Sequence, residues 1–258
     1  MDTSYLEKYY GKFCEEKRLL SRHGQVEFET TMKYIHEYLK EYNNPKILEV
    51  GAGTGRYSCS LANEGYDVTA IELVKNNLGI LKAKKTSVKA YQGNAIDLSR
   101  FNDNSFDMVL LLGPMYHLIE KEDKIKALNE AKRVTKKGGK IIIAYCMNNY
   151  SILTYGFKEN HILECLKNGQ IDENYKTISK EENLYSYVDL SDIDELNKIA
   201  NLKRVKIIAQ DGPTDYIRQT LNQMDNETFR VYIDYHFKTC ERLDLIGASS
   251  HTLDILEV

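Results

Sequence analysis

The chain has 258 residues, of which 42% are hydrophobic, and its formal net charge at pH 7 is −3. This length allows one substantial core, and since no Pro- or Ser-rich linker divides it, we expect a single domain. The charges form no broad basic field, which disfavours nucleic acid as a partner. No long apolar stretch occurs near residues 1–10, so neither a secretory signal nor a membrane span is predicted.

The five cysteines are odd in number and form no C-x-x-C pair. Such a set fits reduced thiols rather than a disulfide framework, and we expect a cytoplasmic location. No group of His, Cys and carboxylate residues has the spacing of metal ligands. We therefore predict no metal site.

Residues 4 to 40 show the apolar spacing of two amphipathic helices, with a polar break at residues 21–25. The apolar faces consist of Leu6, Tyr9, Tyr10 and Phe13 in the first helix and of Phe28, Met32, Ile35 and Leu39 in the second. A packed helix pair with a solvated turn explains this pattern.

A short apolar run after Pro45 is predicted to be a buried strand that enters a turn containing Gly51, Gly53 and Gly55. Glycine permits positive φ and the close approach of a ligand, and the free amides of the next helix point toward a negative group. In a dinucleotide-binding G-x-G-x-x-G turn the third glycine would stand where this chain has Arg56. The substitution disfavours an NAD-dependent enzyme.

A second β-like run, residues 67–71, ends on Glu72. An acid at the tip of the second strand suits a carboxylate that accepts hydrogen bonds from the two ribose hydroxyls of a nucleoside cofactor. A solvated Glu at a strand end is the alternative, and the glycine loop before it favours the ribose interpretation.

Residues 106–112 form the most apolar run and are predicted to be a central strand. The run ends in Gly113-Pro114-Met115-Tyr116-His117, at the carboxyl edge where open α/β sheets bind ligands. We therefore expect Tyr116 and His117 close to the site.

The remaining periodicities predict a helix over residues 121–136, stopped by Gly138 and Gly139, and then a strand over 140–146. Residues 148–182 are irregular and longer than an ordinary connection. Ser191 is expected to cap a later helix. Further predictions are a third strand at 88–92, a sixth at 204–209, two helices within 214–245 and a last strand at 251–258.

The order of strand, G-x-G-x-G loop, helix, strand and acid resembles the class I S-adenosylmethionine-dependent methyltransferases, most specifically over residues 44–147. The resemblance implies a Rossmann-like, doubly wound α/β fold with a seven-stranded, mostly parallel sheet and helical cap insertions. Its last strand would be antiparallel and lie between strands five and six. The expected parts are a helical lid (1–43), a cofactor core (44–147), a cap insertion (148–184) and the rest of the core (185–258) with a helical insertion at about 213–247.

The resemblance also assigns residues to the cofactor. Asn94 and Ala95 match the positions that hold the adenine, with Asn94 in place of the commoner acid and Asp97 near enough to compete for that role. Glu49 and Arg56 are secondary candidates for contact with the cofactor. The proposed cofactor-binding set is Gly51, Gly53, Glu72, Leu73, Asn94, Ala95 and Leu112.

For catalysis, His117 is the natural general base because its ordinary pKa lies near neutrality, and Tyr116 could orient the acceptor. A merely structural His117 that caps the next helix fits equally well. N-terminal helices often cover the cleft in this family, so the candidate lid contacts are Tyr9, Tyr10, His23 and Gln25.

The predicted activity is transfer of a methyl group from S-adenosylmethionine to an O, N or C atom of a small molecule. Enzymes that methylate base amines carry Asn or Asp where this chain has Gly113, which argues against that substrate class. The alternatives are an RNA or protein methyltransferase and a catalytically inactive nucleotide-binding partner subunit. The sequence leaves the oligomeric state open.

Overall fold

The computed structural model describes residues 21–180 and 183–258, together with Leu6 and Tyr9. The strands are β1 (Lys46–Val50), β2 (Asp67–Glu72), β3 (Lys89–Gln92), β4 (Phe106–Leu111), β5 (Thr135–Met147), β6 (Tyr187–Val188), β7 (Lys203–Ala209) and β8 (His251–Glu257). The longer helices are α1 (Arg22–Leu39), α2 (Arg56–Asn63), α3 (Lys75–Ala83) and α4 (Lys121–Val134). After β5 come α5 (Asn148–Ser151), a π-helix (Ile152–Lys158), α6 (Ile162–Lys167), α7 (Leu190–Ala200), α8 (Arg218–Gln223), α9 (Asn226–Thr239) and α10 (Leu243–Ile246).

The strands form one sheet in the order β3-β2-β1-β4-β5-β8-β7, with the short β6 paired to β5. Every pairing is parallel except those of β8, which runs antiparallel to both β5 and β7. The doubly wound α/β prediction is confirmed, including the position of the last strand. The sheet has eight strands rather than seven because residues 187–188 pair with the end of β5.

Both faces of the sheet are covered, because successive strand residues point to opposite sides and both sets are apolar. In β4, Val109 and Leu111 belong to a core that includes α4 and α7. Met108 and Leu110 belong to the core on the other face, which includes α1 and α2. The carboxyl ends of the parallel strands thus meet at one edge with helices on each side.

Three local predictions were wrong. The polar break at 21–25 lies almost entirely in the first turn of α1, which begins at Arg22. Residues 135–139 belong to β5 instead of ending a helix, since the amide of Gly138 donates to the carbonyl of Val258 at 2.7 Å. The N-cap of α7 is Asp189, not Ser191, and it forms a reciprocal capping box with Asp192.

Both regions predicted as insertions contain helices. Residues 148–184 contain α5, the π-helix and α6, and residues 213–247 contain α8, α9 and α10, three helices rather than two. Among the described residues, no helix combines the length and apolar character needed to cross a bilayer. Most of the first predicted helix, including Tyr10, lies outside the described residues.

Candidate active site

A cavity opens at the carboxyl edge of the sheet, where the loops after β1, β2, β3 and β4 meet α1. It encloses about 1040 Å³ of empty space, including its mouth. All the residues proposed for the cofactor line this cavity: Gly51, Gly53, Glu72, Leu73, Asn94, Ala95 and Leu112. The secondary candidates Glu49 and Arg56 also line the cavity, as do Tyr116 and His117.

The glycine loop supplies conformations that other residues resist. Gly51 and Gly53 have φ angles of 73° and 55°. A Cβ on Gly51 would lie 2.8 Å from the ring of Pro114, so the loops after β1 and β4 are in close contact. A Cβ on Gly53 would meet nothing within 4 Å, which leaves room for another molecule to approach the backbone there.

Glu72 ends β2 with its side chain almost completely buried, at 4% exposure. One carboxylate oxygen accepts from the amide of Gly53 at 2.7 Å and the other from the amide of Val74 at 2.8 Å. Burial raises the pKa of this carboxyl, and the donors, which include the Asn77 side chain, oppose the shift. These hydrogen bonds therefore hold both the glycine loop and the Glu72 carboxylate in position.

Glu49 lies next to the last residue of β1 and is buried. Its carboxylate accepts from the amide of Ser58 at 2.9 Å and from the Ser58 hydroxyl. Burial raises the pKa of Glu49 to about 7 against these hydrogen bonds, and the nearby Glu72 raises it further.

The two polar candidates after β3 point in different directions. Asn94 lines the cavity, and its side-chain oxygen accepts from the amide of Ile96 at 3.3 Å. Asp97 lies outside the cavity lining, on a separate hollow, where its carboxylate accepts from the amide of Ser99 at 3.0 Å. Of the two candidates, the geometry therefore favours Asn94 over Asp97 as the residue that contacts an adenine ring.

Tyr116 and His117 lie where β4 ends. The Tyr116 hydroxyl donates to the carbonyl of Leu112 at 3.0 Å. The His117 ring is 5.3 Å from the ring of Tyr185, stacked upon it, and its Nδ1 lies 2.9 Å from the carbonyl of Leu184. Because a carbonyl only accepts, Nδ1 carries a proton. Burial lowers the pKa of His117 to about 4, so the ring is neutral near pH 7.

A buried lysine, Lys124, holds the loop after β4 in place. The ammonium of Lys124 donates to the carbonyls of Leu118 and Ile119 and to the hydroxyl of Ser186, the last two at 3.0 Å. The amide of Ser186 in turn donates to the carbonyl of Tyr116 at 2.7 Å. Burial lowers the pKa of Lys124 to about 8. The loop after β4 is thus tied to the segment before β6.

Known proteins resemble the chain in sequence and in fold. The "Methyltransferase domain" family model matches residues 48–143. The glycine/sarcosine N-methyltransferase of Aphanothece halophytica is 26% identical over 90% of this chain and 83% of its own length. The demethylmenaquinone methyltransferase of Renibacterium salmoninarum is 37% identical, but only over 38% of this chain and 40% of its own length.

Among solved structures, the PH0226 protein of Pyrococcus horikoshii superposes with a TM-score of 0.60 at 17% identity, covering 97% of this chain and 98% of its own. This likeness shows the fold, and the family match and the similar relatives carry the assignment. The chain is a class I S-adenosylmethionine-dependent methyltransferase. Its cofactor is S-adenosylmethionine, as the resemblance implied.

The cavity of this methyltransferase fits that cofactor. The open space at Gly53 admits a ligand to the backbone, and the buried Glu72 offers an acceptor for hydroxyl groups beside it. Arg56 starts α2, and its guanidinium lies 4.2 Å from the centroid of the Phe28 ring. From this position the Arg56 guanidinium can form an ion pair with the carboxylate of a ligand in the cavity.

Sequence reasoning missed a charged cluster beside the same cavity, formed by Glu27, Asp211 and His251. Their ligand atoms all lie within 4.8 Å of one another, a set that could hold a metal ion although the spacing predicted none. Asp211 follows β7 and His251 begins β8, so the antiparallel pairing brings them together. Residues this far apart in sequence leave no local signal.

Proposed function

We propose that this methyltransferase transfers a methyl group to an O, N or C atom of a small-molecule acceptor. The observation that supports the proposal is a single cavity that joins the glycine loop and Glu72 to Tyr116 and His117. The relatives named for glycine and sarcosine or for demethylmenaquinone methylation also point to small acceptors. The single-domain division and the cytoplasmic location remain parts of this proposal.

In this scheme S-adenosylmethionine supplies an electrophilic methyl group on a sulfonium sulfur. The contacts we assign to it are Gly51, Gly53, Glu72, Leu73, Asn94, Ala95 and Leu112, with Glu49 and Arg56 as supporting residues. Alignment of donor and acceptor and exclusion of water are the main tasks of the protein in such a displacement.

Tyr116 and His117 are proposed as the residues that orient the acceptor. With a pKa of about 4, His117 is a weak base near pH 7, and its Nδ1 is already engaged with the Leu184 carbonyl. We therefore assign it a hydrogen-bonding role through Nε2 rather than uptake of a proton from the acceptor.

Calorimetric titration with S-adenosylmethionine, S-adenosylhomocysteine and NAD in parallel tests the cofactor half of the proposal. Binding of the first two without NAD is expected. A screen of small amines, alcohols and phenols with a methyl-labelled donor then tests the acceptor half. Transfer of label to RNA or protein, with none to small molecules, would refute the proposed substrate class.

A further inference from the structure

The cluster of Glu27, Asp211 and His251 lies beside the cavity, with Glu27 in the cavity lining. Glu27 projects from α1 and lines the cavity together with Tyr57 and Tyr116. The His251 ring lies 6.2 Å from the ring of Tyr116, centroid to centroid. The cluster therefore borders the cavity near Tyr116, in the loop after β4.

Asp211 is held rigidly. Its buried carboxylate accepts from Ser249 Oγ at 2.9 Å, from Ser250 Oγ at 2.7 Å and from the amide of His251 at 2.8 Å. His251 Nδ1 lies 2.6 Å from the same group. A carboxylate has about four lone-pair directions. Ser250 and the two His251 groups occupy three of them here, and Ser249 divides its one hydroxyl proton between Asp211 and the carbonyl of His251, 2.5 Å away.

Asp211 and His251 form an ion pair. Burial alone would raise the pKa of Asp211, but the His251 imidazolium and the hydrogen bonds lower it to about 2. Burial alone would lower the pKa of His251, yet Cys146 and Asp211 hold it well above its ordinary value. The pair is neutral as a whole, and the carboxylate of Glu27 lies within 4.8 Å of it.

A carboxylate next to aromatic faces is the surrounding that an ammonium group prefers. The carboxylate gives a charge-assisted hydrogen bond, and a tyrosine ring attracts a cation over its face. Glu27 is only 8% exposed and Tyr57 only 6%, so a cation bound here would be largely shielded from water.

We propose that the acceptor is an amine, and that Glu27 binds its ammonium form and takes up the proton it loses. His251 and Asp211 act as positioning residues behind Glu27. This inference rests on the proposed function, which it narrows to N-methylation. A divalent metal is the competing occupant, but His251 Nδ1 and Asp211 already bond to one another at 2.6 Å, so a metal held by both groups would have to break that bond.

The test is calorimetric titration of the protein saturated with S-adenosylhomocysteine. The probes are two matched pairs, glycine with glycolate and ethylamine with ethanol, which differ only in the nitrogen or oxygen group. Each amine is expected to bind more tightly than its partner. Glu27→Gln should weaken amine binding about 10- to 100-fold, the loss expected for a charge-assisted hydrogen bond, with Glu27→Asp restoring part of it.

Glu29→Gln is the matched control on the same helix, since Glu29 pairs with Arg230 at 3.2 Å on the protein surface. It should leave amine binding unchanged. His251→Asn should raise the KM for an amine acceptor more than it lowers kcat, whereas a structural defect would lower the affinity for S-adenosylhomocysteine as well.

Three outcomes overturn the inference. If S-adenosylhomocysteine binds but neither amine binds better than its oxygen partner, the amine assignment is wrong while the methyltransferase proposal stands. Tight binding of Zn²⁺ or Mg²⁺ that Glu27→Gln abolishes would make the cluster a metal site. Failure of S-adenosylhomocysteine to bind would remove the proposed function along with the inference.

Discussion

On one wall of the cavity, the lining groups come from consecutive turns between residues 50 and 95, and backbone conformation shapes much of the surface. A second wall includes Glu27 and Tyr116, with the His251 ring 6.2 Å from that of Tyr116, and these three residues come from distant segments of the chain. The first wall is specified by short-range rules of strands and turns. The second depends on which strands become neighbours. The following experiments test whether the two walls are as separate as this.

The largest effect is expected at the ion pair of Asp211 and His251. Asp211→Asn should reduce the free energy of unfolding at pH 7 by about 3–5 kcal/mol, because His251 would keep a buried charge without its partner. Urea denaturation measures the loss. Asp234→Asn is the control; its partner Lys238 lies 2.6 Å away on the exposed face of α9, and we expect less than about 0.5 kcal/mol there.

The same pair should set a pH dependence. Since the folded-state pKa of Asp211 is about 2, below its ordinary value, its stabilisation is complete above that ordinary value and is lost as the pH falls toward 2. The raised pKa of His251 works in the opposite direction, and its contribution declines as the pH rises through the folded-state value. Asp211→Asn should flatten the acid limb; an unchanged limb would contradict the ion pair.

A smaller loss is expected in the glycine loop. Gly51→Ala should cost about 2–3 kcal/mol of stability, from the positive φ and from contact with Pro114, and should weaken S-adenosylhomocysteine binding. Gly65→Ala separates the two causes, since Gly65 has a φ of 97° but no atom within 4 Å of the position that an added methyl group would occupy. It should cost only about 1–2 kcal/mol and leave binding intact.

Removal of the acid at the end of β2 should affect binding more than folding. Glu72→Ala is expected to weaken cofactor binding by about 1–3 kcal/mol through loss of charge-assisted hydrogen bonds. Calorimetry with S-adenosylhomocysteine measures this effect. Glu64→Ala serves as the control because Glu64 pairs with His36 at the surface, 2.6 Å away. Unchanged affinity in Glu72→Ala would remove the ribose assignment.

The smallest effect concerns His117. Its ring should titrate with a midpoint near pH 4 in NMR spectra, with His117→Asn identifying the resonance. Since this folded-state pKa lies below the ordinary value, the residue costs stability as the pH falls from about 6.5 toward 4. A midpoint near pH 6.5 would restore His117 as a candidate general base.

Much of the first wall, formed by the turns between residues 50 and 95, could be predicted because the residues that determine it are close in sequence. The glycine positions and Glu72 follow from the turn after one strand and the end of the next. All seven proposed cofactor residues line one cavity for this reason. Whether each contacts the cofactor stays a prediction.

The errors arose where long-range contacts outweighed local signals. Gly138 and Gly139 have the composition of a turn, yet the hydrogen bond to Val258 extends β5 through them. Asp and Ser are both residue types that cap helices well, so the sequence alone does not distinguish Asp189 from Ser191. The capping box between Asp189 and Asp192 identifies Asp189 as the N-cap. Asp211 and His251 meet because β7 and β8 pair, which no spacing in the sequence reveals.

The position of β8 also dictates the order in which the protein can be assembled during synthesis. Strand β8 is made after β7 but inserts between β5 and β7, so β7 has no neighbour in the sheet until residues 251–257 have left the ribosome. Strands β1, β2 and β4, by contrast, can pair as soon as residue 111 has emerged. A nascent chain can thus arrange its glycine loop early, whereas Asp211 has no contact with His251 until residue 251 has emerged.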